Sequence, residues 1–199
     1  MLTDHQIIQL SKKMNIPIGG VFFKDEMPTK LDVNKAYFVN LQDSTNDDGE
    51  DNEGTHWTFL QVAQYPKGKI EPIYFDPFGH EPSEILTKIV KDQFGLKLPH
   101  TDKDVQSMMN NACGFYCLAL GHFINASKYR SNDLYTDVGQ FLEMFDDLNT
   151  SCDFKKNEYI LQHFFQAEDP SKRRSIDVIK PLDSIRKEDH AGGIDIKQL

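Results

Sequence analysis

The sequence predicts an α+β fold, a small antiparallel sheet flanked by helices, and three stretches carry that reading. GTHWTFLQV, residues 54–62, has the apolar, β-branched and aromatic composition of a strand, and IEPIYF, residues 70–75, repeats it. Pro66, Lys67, Gly68 and Lys69 between them supply turn chemistry, so the pair reads as an antiparallel hairpin over residues 56–76. The third stretch is residues 113–124, where Phe115, Cys117, Leu118, Ala119, Leu120, Phe123 and Ile124 crowd all round a helix, which is therefore expected to be buried.

The other elements follow in chain order. Thr3 and Gln6 form a capping box, and Ile7, Leu10 and Met14 line one face of a short helix that Pro17 ends. The short segment Ile18-Gly19-Gly20-Val21 precedes a strand expected over residues 36–41. DSTNDDGEDNE, residues 43–53, is an acidic run without a base, expected to be a solvated loop. Residues 82–94, 133–148 and 155–165 have the patterning of amphipathic helices.

Length and charge bound the possibilities. A chain of 199 residues suits one domain with a substantial core, expected over residues 1–167, followed by a polar C-terminal extension over 168–199. A net charge of −9 argues against a general nucleic-acid footprint, which needs clustered Lys and Arg. Three cysteines, no signal sequence and no long apolar span point to a soluble protein in a reducing compartment.

Cys113 is the candidate nucleophile, because it sits where the polar turn QSMMNNA gives way to the apolar helix. Unpaired backbone N–H groups and the positive dipole end there favour a thiolate. Asn110 or Asn111 is expected to cap the helix. The base is sought in the hairpin. If Val62 faces Ile70 and Leu60 faces Pro72, then Thr58 faces Tyr74, Trp57 faces Phe75 and His56 faces Asp76. Cross-strand partners have Cβ atoms about 5 Å apart, and a carboxylate beside an imidazole fixes its tautomer and stabilises its charge.

Blander roles suit the remaining candidates. A cysteine in an apolar helix is most often inert core, and Cys117 fits that description. Cys117 with His122 lacks a fourth ligand and matches no common zinc spacing, so neither a metal nor a cofactor is expected. Cys152 reads as a loop thiol, and His5, His80, His100, His163 and His190 as solvated side chains. The triplet Lys172-Arg173-Arg174 reads as a solvated basic patch.

His56-Trp57, Phe75-Asp76-Pro77-Phe78-Gly79, and Gln106 ahead of Cys113-Gly114, in that order, resemble the adenovirus proteinase (adenain) family of cysteine peptidases. The resemblance spans roughly residues 3–165. Size and acidic composition are most similar to the proteases of virophages and Maverick or Polinton elements. It implies a papain-like, ubiquitin-like-protease-type fold with the nucleophile at the N-terminus of the buried helix. It also implies roles: Cys113 as nucleophile, His56 as general base and then acid, Asp76 as orienter, Gln106 as oxyanion donor, and Trp57 and Gly114 in the substrate cleft. Family members are basic and are activated by DNA and by a disulfide-linked peptide. This chain is acidic and has no cysteine between Asp76 and Cys113, so neither activation is expected.

The expected function is that of a viral-type endopeptidase that cuts capsid or other virion precursors at Gly-containing sites, in the host cytoplasm and the virion. Rival readings are a ubiquitin-like-protein isopeptidase, an acyltransferase and a non-catalytic capsid-binding module. Gly192-Gly193, in the tail, is a candidate self-processing site, since a narrow cleft over a nucleophile favours a residue without a side chain.

Overall fold

The computed structural model describes residues 1–52, 54–151 and 153–168. The expectations placed on Cys152, the basic triplet, Gly192 and Gly193 fall outside those residues. Chain order is α1 (Asp4–Lys13), β1 (Ile18–Phe23), β2 (Lys35–Asn40), β3 (Trp57–Gln64), β4 (Ile70–Phe75), α2 (Glu84–Phe94), α3 (Cys113–Asn125), α4 (Leu134–Leu142) and α5 (Phe154–Glu168).

The architecture is α+β, but its sheet is mixed rather than antiparallel. Strand order is β1-β2-β3-β4, with β2–β3 and β3–β4 antiparallel and β1 parallel to β2. Parallel neighbours cannot be joined by a tight hairpin. Residues 24–34 accordingly carry the chain back to the starting end through a 3-10 turn at Lys24–Glu26, burying Met27 and Leu31 on the way. Gly19 in β1 lies under the Tyr37 ring; a Cβ there would sit 2.2 Å from that ring.

The hairpin forms with a register two residues away from the expected one. Val62 pairs with Pro72, Leu60 with Tyr74 and Phe59 with Phe75. The cause lies in the turn. Lys67 and Gly68 both take positive φ, and Tyr65 N donates to Lys69 O at 2.8 Å, so the loop is tight and pairing extends to Gln64–Ile70. A shift of two leaves every side chain on its expected face.

Both faces of the sheet are covered. On one, Ala36, Phe38, Trp57, Phe59, Ile73 and Phe75 pack with α1, α3, α4 and α5; on the other, Tyr37, Val39, Leu60, Val62 and Tyr74 pack with Leu86 and Val90 of α2. This explains why β3 is buried along almost its whole length.

Helix boundaries follow their caps. Thr3 Oγ1 accepts from Gln6 N at 3.2 Å and Gln6 Oε1 accepts from Thr3 N at 2.9 Å, the expected capping box. Ser83 caps α2 and Gly95, in the left-handed region, ends it. Asp133 caps α4, which stops at Leu142 instead of running to 148. Lys103 Nζ donates to the carbonyls of Leu142 and Phe145 at 2.8 and 2.6 Å, which satisfies acceptors that would otherwise favour another helical turn. Among the described residues no helix is long and apolar enough to cross a membrane.

Candidate active site

His56 immediately precedes β3, and Asp76 immediately follows β4. The observed register, extended by three residues beyond the Phe59–Phe75 pair, sets His56 opposite Phe78. The two rings stack, with centroids 4.6 Å apart and planes at 22°. Asp76 is then a diagonal neighbour of His56, yet the side chains still meet, with His56 Nε2 and Asp76 Oδ1 2.7 Å apart. The carboxylate is completely buried and its position is fixed locally, since Oδ1 also accepts from Phe78 N at 2.8 Å.

Cys113 opens α3 and is itself buried, against the same imidazole. Burial alone would push the His56 pKa down. Hydrogen bonds with Asp76 and Cys113 and the charges of both outweigh it and raise the imidazole to about 9. At neutral pH the ring is therefore an imidazolium. Nε2 is committed to Asp76, which leaves Nδ1 to serve the Cys113 sulfur.

The expected side-chain cap on α3 is absent: its N-cap is Ala112. Asn110 Oδ1 instead accepts from Ala112 N at 3.2 Å, one step too early to cap, and Asn110 Nδ2 donates to Glu158 of α5. The first-turn N–H groups of Cys113 and Gly114 thus receive no side-chain acceptor. Uncapped N–H groups beside a thiol are suited to holding an oxyanion.

Gln106 is tied by its backbone to the turn that follows Asp76. Pro77 O accepts from both Val105 N (2.8 Å) and Gln106 N (3.2 Å). Gly79 makes this contact possible: its φ is +75°, and a Cβ would lie 2.6 Å from Asp102 O. The Gln106 side chain is buried, and its Nε2 donates to Asn110 O at 3.0 Å. A carboxamide nitrogen has two hydrogens, so one remains for an oxyanion.

Trp57 is buried, with its indole N–H donating to Leu2 O at 2.7 Å. Leu2 and Trp57 both approach Gly114, whose hypothetical Cβ would be 3.1 Å from Leu2 Cδ1. Cys117 is core, as expected. Its Sγ donates to Trp57 O at 3.4 Å, and burial holds its thiol pKa well above the ordinary value. His122 Nδ1 lies 2.8 Å from Met14 O.

Sequence reasoning missed four contributors. Phe78 was legible only as part of a motif, and its stacking on His56 depended on the register. Pro77 and Asn110 act through backbone carbonyls, which leave no signature in side-chain type. His80 was expected to be solvated, and its ring is 70% exposed, yet Nδ1 lies 3.5 Å from Asp76 Oδ2; its place four residues after Asp76 was the available signal. Met108 and Met109, between Gln106 and Cys113, are 87% and 92% exposed.

This arrangement can activate a thiol, hold the conjugate imidazolium and offer N–H donors to a developing anion. Searches against protein-family models and curated proteins return no match for the chain.

Proposed function

We propose that the protein is a cysteine endopeptidase of the adenain type, with a papain-like disposition of its catalytic groups. The observation that carries the reading is the alignment of Asp76 Oδ1, 2.7 Å from His56 Nε2, with Cys113 on the same imidazole. A cysteine in an apolar helix needs neither neighbour if it serves only packing.

The mechanism follows from those positions. Cys113 Sγ attacks the scissile carbonyl carbon, and the C=O electron pair moves onto oxygen. The Cys113 backbone N–H and Gln106 Nε2 are the donors for that charge. Collapse breaks the C–N bond, and the leaving amine takes the His56 proton. His56, now neutral, removes a proton from water as it attacks the thioester, and the Cys113 thiolate is released with the acid product. Asp76 keeps the ring in one tautomer and stabilises its charged form throughout.

The resemblance points to Gly-containing bonds in capsid or other virion precursors as substrates, with host cytoplasm and virion as the place of action. The test is mass spectrometry of Gly-containing peptides and a folded ubiquitin-like fusion, incubated with wild type and Cys113→Ala. Short peptides should be cut beside Gly by wild type alone. Cleavage of the folded fusion only would replace the endopeptidase with an isopeptidase, and no cleavage of either would favour the binding-module alternative.

A further inference from the structure

The segment that carries Gln106 has two anchors on α5, a helix the mechanism above does not use. Asn157 is completely buried. Its Nδ2 donates to Val105 O at 3.0 Å and to Asp146 O at 2.8 Å, while its Oδ1 accepts from Asp146 N at 2.8 Å. The next residue, Glu158, accepts through Oε1 from Asn110 Nδ2. Asn110 is the residue whose carbonyl accepts from Gln106 Nε2. The helix therefore grips the chain on both sides of Gln106, at Val105 directly and at Asn110 through its side chain.

The start of the segment is also held by Pro77 O, which accepts from Val105 N and Gln106 N, but its outer part has fewer ties. Met108 and Met109, at its outer end, are almost fully exposed and contribute no core packing. Within it, Asn110 N donates to Ser107 O at 3.2 Å and Met109 N to Ser107 Oγ at 3.1 Å, contacts that set a local turn but do not fix that turn against the domain. Its side-chain tie to α3 is Ala112 N donating to Asn110 Oδ1 at 3.2 Å, and the other end of that same carboxamide is held by Glu158.

We propose that Asn157 and Glu158 are positioning residues for the oxyanion donor. Glu158 fixes the Asn110 side chain, the Asn110 carbonyl fixes one hydrogen of the Gln106 carboxamide, and the second hydrogen is thereby aimed. The inference rests on the cysteine-peptidase reading for its catalytic meaning, but the mechanical coupling can be measured without activity.

Glu158 is the residue to change, because it is only half-buried, whereas removing Asn157 would strand buried backbone groups and endanger folding. Glu158→Ala should lower kcat by about tenfold or more with KM nearly unchanged, since small misplacements of catalytic groups cost rate. Glu158→Gln, which keeps an acceptor, should recover most of it. Iodoacetamide labelling of Cys113 should be the same in all three proteins. In hydrogen-exchange mass spectrometry, peptides covering residues 107–112 should exchange faster in Glu158→Ala than in wild type or Glu158→Gln. Unchanged kcat or unchanged exchange in Glu158→Ala overturns the proposal. A wild type inert toward every peptide would instead sink the peptidase reading, and the exchange comparison would still decide whether α5 holds the segment.

Discussion

At the scale of single residues, the proposed chemistry turns on how His56 is charged. Its ring gains more from Asp76 and Cys113 than it loses by burial, and stays protonated up to about pH 9. A group whose folded pKa is raised stabilises the fold fully below its unfolded value, about 6.5, and that contribution is lost as pH rises through about 9. The acid-donating imidazolium is lost over the same range, so kcat/KM should fall on its alkaline side near pH 9. Asp76→Asn removes the main opponent of burial. The alkaline limb of the pH–rate profile should then move to lower pH and kcat should drop by about 100-fold or more, both read from steady-state kinetics across pH. An alkaline limb that stays in place in Asp76→Asn would detach it from His56. Cys117, with its raised pKa and its bond to Trp57 O, should resist iodoacetamide under conditions that alkylate Cys113, as peptide mapping would show.

Elements place these residues, and here the sequence was partly legible. The capping box at Thr3 and Gln6, the buried α3 and the hairpin all follow from residue type and period. Which residue faced which did not, because hairpin register depends on the backbone angles of Lys67 and Gly68, and a lysine in the left-handed region has no sequence signal. The Ile18–Val21 segment does not read as a strand because Gly19 and Gly20 have low strand propensity; the glycine at 19 is there for the Tyr37 ring of the neighbouring strand. The early stop of α4 was hidden for a similar reason, since Lys103, distant in sequence, takes its terminal carbonyls. The Asp76 turn offers an element-scale test. Gly79→Ala puts a Cβ on a left-handed residue and against Asp102 O, so it should cost about 1–3 kcal/mol in thermal unfolding. It should also lower kcat, because Pro77 O holds Val105 and Gln106. A variant with wild-type Tm and kcat would show that the turn does not position the donor.

Across the whole molecule, the proposed catalytic pair and a buried Tyr–Asp hydrogen bond occupy opposite ends of the β3–β4 hairpin. His56 and Asp76 stand at its open end, while Tyr65, at the closed end, donates to the buried Asp137 carboxylate of α4 at 2.5 Å. Burial and that carboxylate push the Tyr65 pKa well up, so the phenol keeps its proton and the bond persists through the working pH range. Tyr65→Phe leaves a buried acceptor short of a donor and should cost about 1–3 kcal/mol by denaturant unfolding, with kcat unchanged. A matching loss of kcat would mean that the two ends are coupled through the sheet. The most direct test of the central claim is to react wild type, His56→Ala and Cys113→Ala with a peptidyl-glycine vinyl sulfone, and to locate the adduct by intact mass and peptide mapping. One adduct should form, on Cys113, rapidly in wild type, slowly in His56→Ala and not at all in Cys113→Ala. A probe that labels another residue, or labels wild type no faster than His56→Ala, would contradict it.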